Sequence, residues 1–75
     1  MRQDFPLHGD YIELHILLKL LALAPSGGAA KAMIADGLVT VDNLVETRKG
    51  RKLKIGQIVR LGDTEVVVIG AENIA

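Results

Sequence analysis

Cysteine is missing from all 75 residues, which excludes a disulfide framework and a thiolate zinc site and is compatible with a reducing compartment. Aromatic residues are almost missing too, with one Tyr and one Phe, so the core must be built from Leu, Ile, Val and Ala. Neither sign of charge prevails, because nine Lys and Arg stand against nine Asp and Glu. No run reaches the roughly 18 apolar residues that a membrane span requires. The longest greasy stretch, Ile12 to Ala24, is broken by Glu13, His15 and Lys19, which argues against a membrane anchor. Asp4, Asp10 and Glu13 place acids where a secretory signal is basic and then apolar, so a cytoplasmic protein is expected.

Catalytic patterns are equally scarce. Ser26 has no histidine near it, no Gly-x-Ser-x-Gly or phosphate-binding-loop spacing occurs, and the acids are scattered singly rather than paired. His8 and His15, seven residues apart, make a poor metal pair with Asp10 or Glu13. The expectation is a protein that is not an enzyme, with no cofactor and no metal. Length leaves room for one domain, residues 1–75, and a chain of this size buries only about 60% of the surface it exposes when unfolded.

What the chain does have is a cluster. Five of its nine basic residues fall in Arg48-Lys49-Gly50-Arg51-Lys52-Leu53-Lys54, with no acid among them. On a neutral chain this is a local field, able to collect a polyanion by releasing condensed counterions. Gly50 lets the backbone bend so that Arg48-Lys49 and Arg51-Lys52 face one groove. Arginine can fork two donors onto a phosphate or stack on a base, so Arg48 and Arg51 supply geometry and Lys49, Lys52 and Lys54 supply charge. The two aromatic residues, Phe5 and Tyr11, lie outside the patch, which argues against extended single-strand binding and for a structured polyanion read by shape and backbone. The competing reading is a solvated loop that keeps a small protein soluble.

Element signals outline the scaffold. Asp10 and Glu13 have the spacing of a capping box, and an apolar helix follows with Leu14, Leu17, Leu18 and Leu21 in one stripe and Ile12, Ile16, Leu20 and Leu23 in another, ending at Ala24-Pro25. Such girth is either covered twice by its own domain or leaves a strip for a partner, including weak self-association through this first helix. Ser26 caps a second helix whose inward face is Ala30, Met33 and Ile34 and whose stop is Gly37. The period then changes to two. Leu38 to Val41, a turn at Asp42-Asn43, Leu44 to Thr47, Ile58 to Leu61 and Glu65 to Ile69 read as strands and hairpins, with the basic stretch as an exposed loop between them. Phe5 to Leu7 adds a short edge strand in spite of Pro6. The fold class is α+β: two N-terminal helices, helix-turn-helix like, packed on a small, mainly antiparallel sheet of about four to five short strands.

Taken jointly, Ser26-Gly27-Gly28-Ala29-Ala30-Lys31, Gly37 to Asn43, Glu46 to Leu53 and Gly56-Gln57-Ile58-Val59 resemble the RNA-binding domain of ribosomal protein S-four, also called the alpha-L motif. The domain recurs in pseudouridine synthases, bacterial tyrosyl-tRNA synthetases and a ribosome-associated heat-shock protein. The Ser-Gly-Gly opening and the Arg-Lys-Gly-Arg-Lys block are most similar to small, free-standing bacterial members. The resemblance spans about Ile12 to Val68. It implies binding of structured RNA, ribosomal RNA in ribosome assembly or maintenance above all, through Ser26, Gly27, Gly28, Lys31, Arg48, Lys49, Arg51, Lys52 and Lys54. Two departures stand out: Gly27 replaces the usual Arg after the motif serine, shifting charge onto Lys31 and the basic loop, and Asp42-Asn43 replaces Asn-Gly at the hairpin. A helix opened by Ser26-Gly27-Gly28 presents free N–H groups to an anion, although the serine could equally be a plain cap and the glycines could relieve a tight interhelical turn.

A different class stays open. Val39 to Asn43 with Leu53-x-x-Gly56-Gln57-x-Val59 is also similar to small ubiquitin-like sulfur carriers, which need a Gly-Gly carboxyl terminus. This sequence ends Glu72-Asn73-Ile74-Ala75, so carrier chemistry is not expected and a protein–protein scaffold role through the apolar helix remains the alternative.

Overall fold

The structure, a computed structural model, describes residues 1–71. Glu72-Asn73-Ile74-Ala75, on which the carrier argument rests, lie outside the described residues. Nine elements follow in order: β1 (Arg2–Leu7), β2 (Ile12–Glu13), α1 (Leu14–Leu20), α2 (Gly27–Ala35), β3 (Val39–Val41), β4 (Leu44–Val45), β5 (Lys52–Leu53), β6 (Ile58–Leu61) and β7 (Thr64–Gly70). The main sheet has five strands in the order β1-β7-β6-β3-β4, and β2 and β5 form a separate two-stranded ribbon. Every pairing is antiparallel except β1 with β7, which run parallel from Arg2↔Glu65 to Leu7↔Gly70. The α+β expectation therefore holds, with β1 longer than Phe5 to Leu7. Its place at the sheet edge is what makes Pro6, which cannot donate to a ladder, tolerable there.

The core is aliphatic throughout, as two aromatic residues require. Leu14, Leu17 and Leu18 of α1, Ala30 and Ile34 of α2, and Val39, Val59, Val66, Val68 and Leu53 from the strands are buried together. Cutting one of the buried leucines to Ala would cost about 2–5 kcal/mol, a large part of the stability of so short a chain. The second stripe of α1 is only partly covered. Ile12 and Leu23 pack against the core margin, whereas Ile16 and Leu20 are exposed.

Helix α1 departs from the expected Asp10/Glu13 capping box and from the expected end at Ala24. Glu13 is itself the N-cap residue, its side chain makes no capping bond, and Ile12–Glu13 are a strand. A ladder with β5 (Ile12↔Leu53, Glu13↔Lys52) wins over a local cap because it satisfies backbone groups and buries Leu53 at the same time. At the other end the helix stops at Leu20. Ala22 turns left-handed (φ 58°), the Leu23 N–H donates to the Leu18 carbonyl (2.9 Å) and the Ala22 N–H to the Lys19 carbonyl (3.0 Å). That is a Schellman cap built on alanine. Helix α2 ends in the same way on Gly37 (φ 76°), with Leu38 N–H to the Met33 carbonyl (3.2 Å) and Gly37 N–H to the Ile34 carbonyl (3.0 Å). Its start is as expected, since Ser26 Oγ accepts from the Ala29 N–H at 3.0 Å.

Candidate nucleic-acid interface

The basic stretch is not a free loop. Lys52–Leu53 form β5, and just before it the loop backbone caps α1: the Arg51 carbonyl accepts from the Leu14 N–H (2.9 Å) and the Lys49 carbonyl from the His15 N–H (3.2 Å). Lys49 O also lies 2.8 Å from His15 Nδ1, which must carry the proton because a carbonyl can only accept. Two of the four N–H groups that a helix leaves open at its start are thus closed by the loop. The loop and the first helix are one assembly.

Compensating acids are present, contrary to the reading of the isolated stretch. Glu46, with a side chain only 8% exposed, pairs with both arginines. Its Oε2 accepts from Arg48 Nε (3.0 Å) and the Arg48 N–H (3.1 Å), and its Oε1 from Arg48 Nη2 (3.2 Å) and Arg51 Nη1 (2.7 Å). The fork of Arg48 is therefore spent on Glu46. These contacts, the Arg48 side chain first, hold the Glu46 carboxyl at about 2 against an ordinary 4.5, in spite of the opposing effect of burial. Asp42 adds a second brace. It sits with Asn43 in the hairpin turn at φ 51° and 70°, its Oδ1 accepts from the Ile58 N–H (2.9 Å) and its Oδ2 from Gln57 Nε2 (3.1 Å). Those two bonds, with a smaller contribution from the Arg51 charge, lower its pKa. The aspartate at this departure from Asn-Gly thus ties the β3–β4 hairpin to β6.

Arg48, Gly50, Arg51 and Lys52 line one open concavity of about 710 Å³. Among the described residues Lys49, Lys52 and Lys54 make no ion pair, and all three are exposed. Arg48 is 73% exposed and Arg51 32%, so their outer N–H groups remain accessible beyond Glu46. Gly50 has no left-handed backbone, and a Cβ there would meet only Glu13 Oε2 at an ordinary 3.9 Å. Lys52 Nζ lies 4.8 Å from the centroid of the Tyr11 ring, which corrects the expectation that both aromatic residues lie outside the patch. Pairing of Ile12 with Leu53 carries Tyr11 there, across a distance in sequence that no local pattern reveals.

The second group of expected residues stands apart. Ser26, Gly27, Gly28 and Lys31 do not line the concavity. Crowding does not explain the glycines: a Cβ on Gly27 would meet nothing within 4 Å and one on Gly28 only Ser26 Oγ at 3.9 Å. Neither has a positive φ. They leave the backbone at the start of α2 bare, and Lys31 is exposed on the same helix. Ser26 is the cap that the alternative reading required, with its Oγ already accepting one bond. Glu46 is the residue of the candidate site that the basic cluster concealed. Its signal was the Glu46-x-Arg48 spacing, which places both side chains on one side wherever the chain is extended.

A short two-helix unit whose first helix is capped by a lysine- and arginine-rich loop, set on a mainly antiparallel sheet, defines a small α+β module of the alpha-L type. The family described as the S4 domain matches residues 5–69, and the chain belongs to it. That match takes in part of β1, ahead of the Ile12 start of the resembling blocks. The chain is 46% identical over 59 residues to "Putative RNA-binding protein YbcJ" of Escherichia coli (strain K12), covering 79% of this chain and 84% of that protein. It is 33% identical over 61 residues to "Probable ribosome maturation protein RlbA" of Bacillus subtilis (strain 168), covering 81% and 86%. The solution structure of YbcJ from E. coli, described as revealing an alpha-L motif involved in RNA-binding, is similar with a TM-score of 0.63 and 40% identity over 92% of this chain and 86% of that one.

Proposed function

We propose that this chain is a non-catalytic RNA-binding protein of the bacterial cytoplasm that recognises structured RNA, with ribosomal RNA during ribosome assembly or maintenance as its target. The observation that carries the reading is the concavity itself: Arg48, Arg51 and Lys52 open onto it from a loop whose backbone is pinned to α1. A pinned cationic surface loses little freedom on meeting a phosphate backbone, and each phosphate that it neutralises releases counterions. The likeness to YbcJ and RlbA supports both the RNA and the ribosomal part of the reading. Lys49 and Lys54 add charge beside the concavity, and the bare start of α2 with Ser26, Gly27, Gly28 and Lys31 offers a second backbone contact to the same RNA. Crosslinking of the tagged protein in its host, followed by sequencing of the attached RNA, tests the proposal. Discrete sites on ribosomal RNA are expected. An RNA-free pull-down enriched in one protein would replace this reading with the scaffold role, for which exposed Ile16 and Leu20 are the surface at hand.

A further inference from the structure

Tyr11 is 47% exposed, and it sits at the entrance to β2 directly beneath the Lys52 ammonium. Its position is imposed by the fold, because the next residue, Ile12, is locked to Leu53 and Lys52 lines the concavity. The one phenyl side chain, Phe5, is packed against the core margin. A cation–π contact at an exposed site is weak, which is little reason to leave a large ring in water.

We propose that Tyr11 is a stacking platform for one unpaired nucleotide, so that the RNA recognised by this surface carries a bulged or looped-out base beside the duplex backbone held by the basic loop. The inference rests on the RNA-binding reading above and deepens it. A nucleotide offers a flat base and a charged phosphate a few ångströms apart, and the exposed ring with the Lys52 ammonium over it offers a matching pair once Lys52, exposed and in no ion pair among the described residues, moves off the ring onto the phosphate. A single ring accepts a single base. That limit separates this surface from the extended aromatic tracks that bind long single strands.

The test uses the whole protein and three hairpin RNAs that are identical except at one position: a bulged adenosine, an abasic residue in the same bulge, and no bulge. The parent protein should bind the adenosine bulge about 10-fold more tightly than the abasic or fully paired RNA, on the scale of one base–aromatic stack. Because the chain has one Tyr and no Trp, the ring protons of Tyr11 are readable directly by NMR, and they should move upfield only with the adenosine bulge. Tyr11→Phe should keep the preference and Tyr11→Leu should bind all three RNAs alike. Should Tyr11→Leu fail to fold, the abasic comparison and the ring signals of the parent still decide the matter. Equal, salt-sensitive binding of all three RNAs with unmoved ring signals would overturn the stacking role and leave RNA binding in place. Binding of none of the three would overturn both.

Discussion

Glu46 and Arg51 are joined by a 2.7 Å contact between a carboxylate only 8% exposed and a guanidinium 32% exposed. With Arg48 forked across both its oxygens, Glu46 sets the spacing of the two arginines at the concavity. Replacement by glutamine keeps the shape and removes the charge, so Glu46→Gln should lower stability by about 1.5–3 kcal/mol at neutral pH, the scale of charge-assisted hydrogen bonds. The pH dependence has a definite sign. A carboxyl held at about 2 in the folded state against an ordinary 4.5 contributes stability that is complete above 4.5 and is lost as pH falls toward and through 2. Thermal melts of parent and variant should differ by a constant amount above that window and converge below it. Curves that stay parallel down to pH 2 would mean that the carboxylate is not held by the arginines.

Ala22 occupies the left-handed cap position of α1 that glycine fills as Gly37 in α2. Relief of the Cβ strain is worth about 1–2 kcal/mol and the added freedom of the unfolded chain offsets about 0.5–1 of it. Ala22→Gly should therefore stabilise by about 0.5–1 kcal/mol, raising the melting temperature by roughly 2–8 °C. An unchanged or lower melting temperature would count against this cap.

The lysines without ion pairs should dominate the salt response. If about three to five phosphates are neutralised, log K for structured RNA falls with log salt at a slope of about −2 to −4. Changing Lys49, Lys52 and Lys54 together to Gln should flatten that slope by roughly 2 to 3. A parental slope near zero would remove the electrostatic basis of binding.

The start of α2 can be separated from the loop by one charge. Lys31 is exposed, so Lys31→Glu should leave stability nearly unchanged, within about 0.5 kcal/mol by thermal melts, while weakening RNA binding. Parental affinity in the variant would return Ser26 to Lys31 to a structural role only.

Replacing Arg48 and Arg51 by Lys probes two things at once. Because the forks grip Glu46, loss of planar donors should lower stability as well as affinity, and circular dichroism melts beside titrations separate the two. Reduced affinity with an unchanged melting temperature would place the forks on RNA rather than on Glu46.

Local signals were legible where local chemistry decides the outcome. Ser26 and Gly37 bound α2, Asp42-Asn43 makes the hairpin, and alternation marks β6 and β7. The start of α1 was not legible, because an Asp10/Glu13 cap competes with a pairing to Lys52–Leu53 some forty residues away. Its end escaped for another reason: alanine carries no sign that it will turn left-handed. At the candidate site the basic residues are plain in the sequence. Their restraint by Glu46 and the approach of Tyr11 appear only once β2 and β5 have met.

Helix α1 holds the basic loop by the carbonyls of Lys49 and Arg51, and any residue in those places supplies the same two acceptors. The scaffold is therefore indifferent to what most of the loop's side chains are. A lineage can redraw the charges at 49, 52 and 54 to suit a different nucleic acid without renegotiating the fold, whereas a proline that shifted the main chain at 50 would damage helix and interface together.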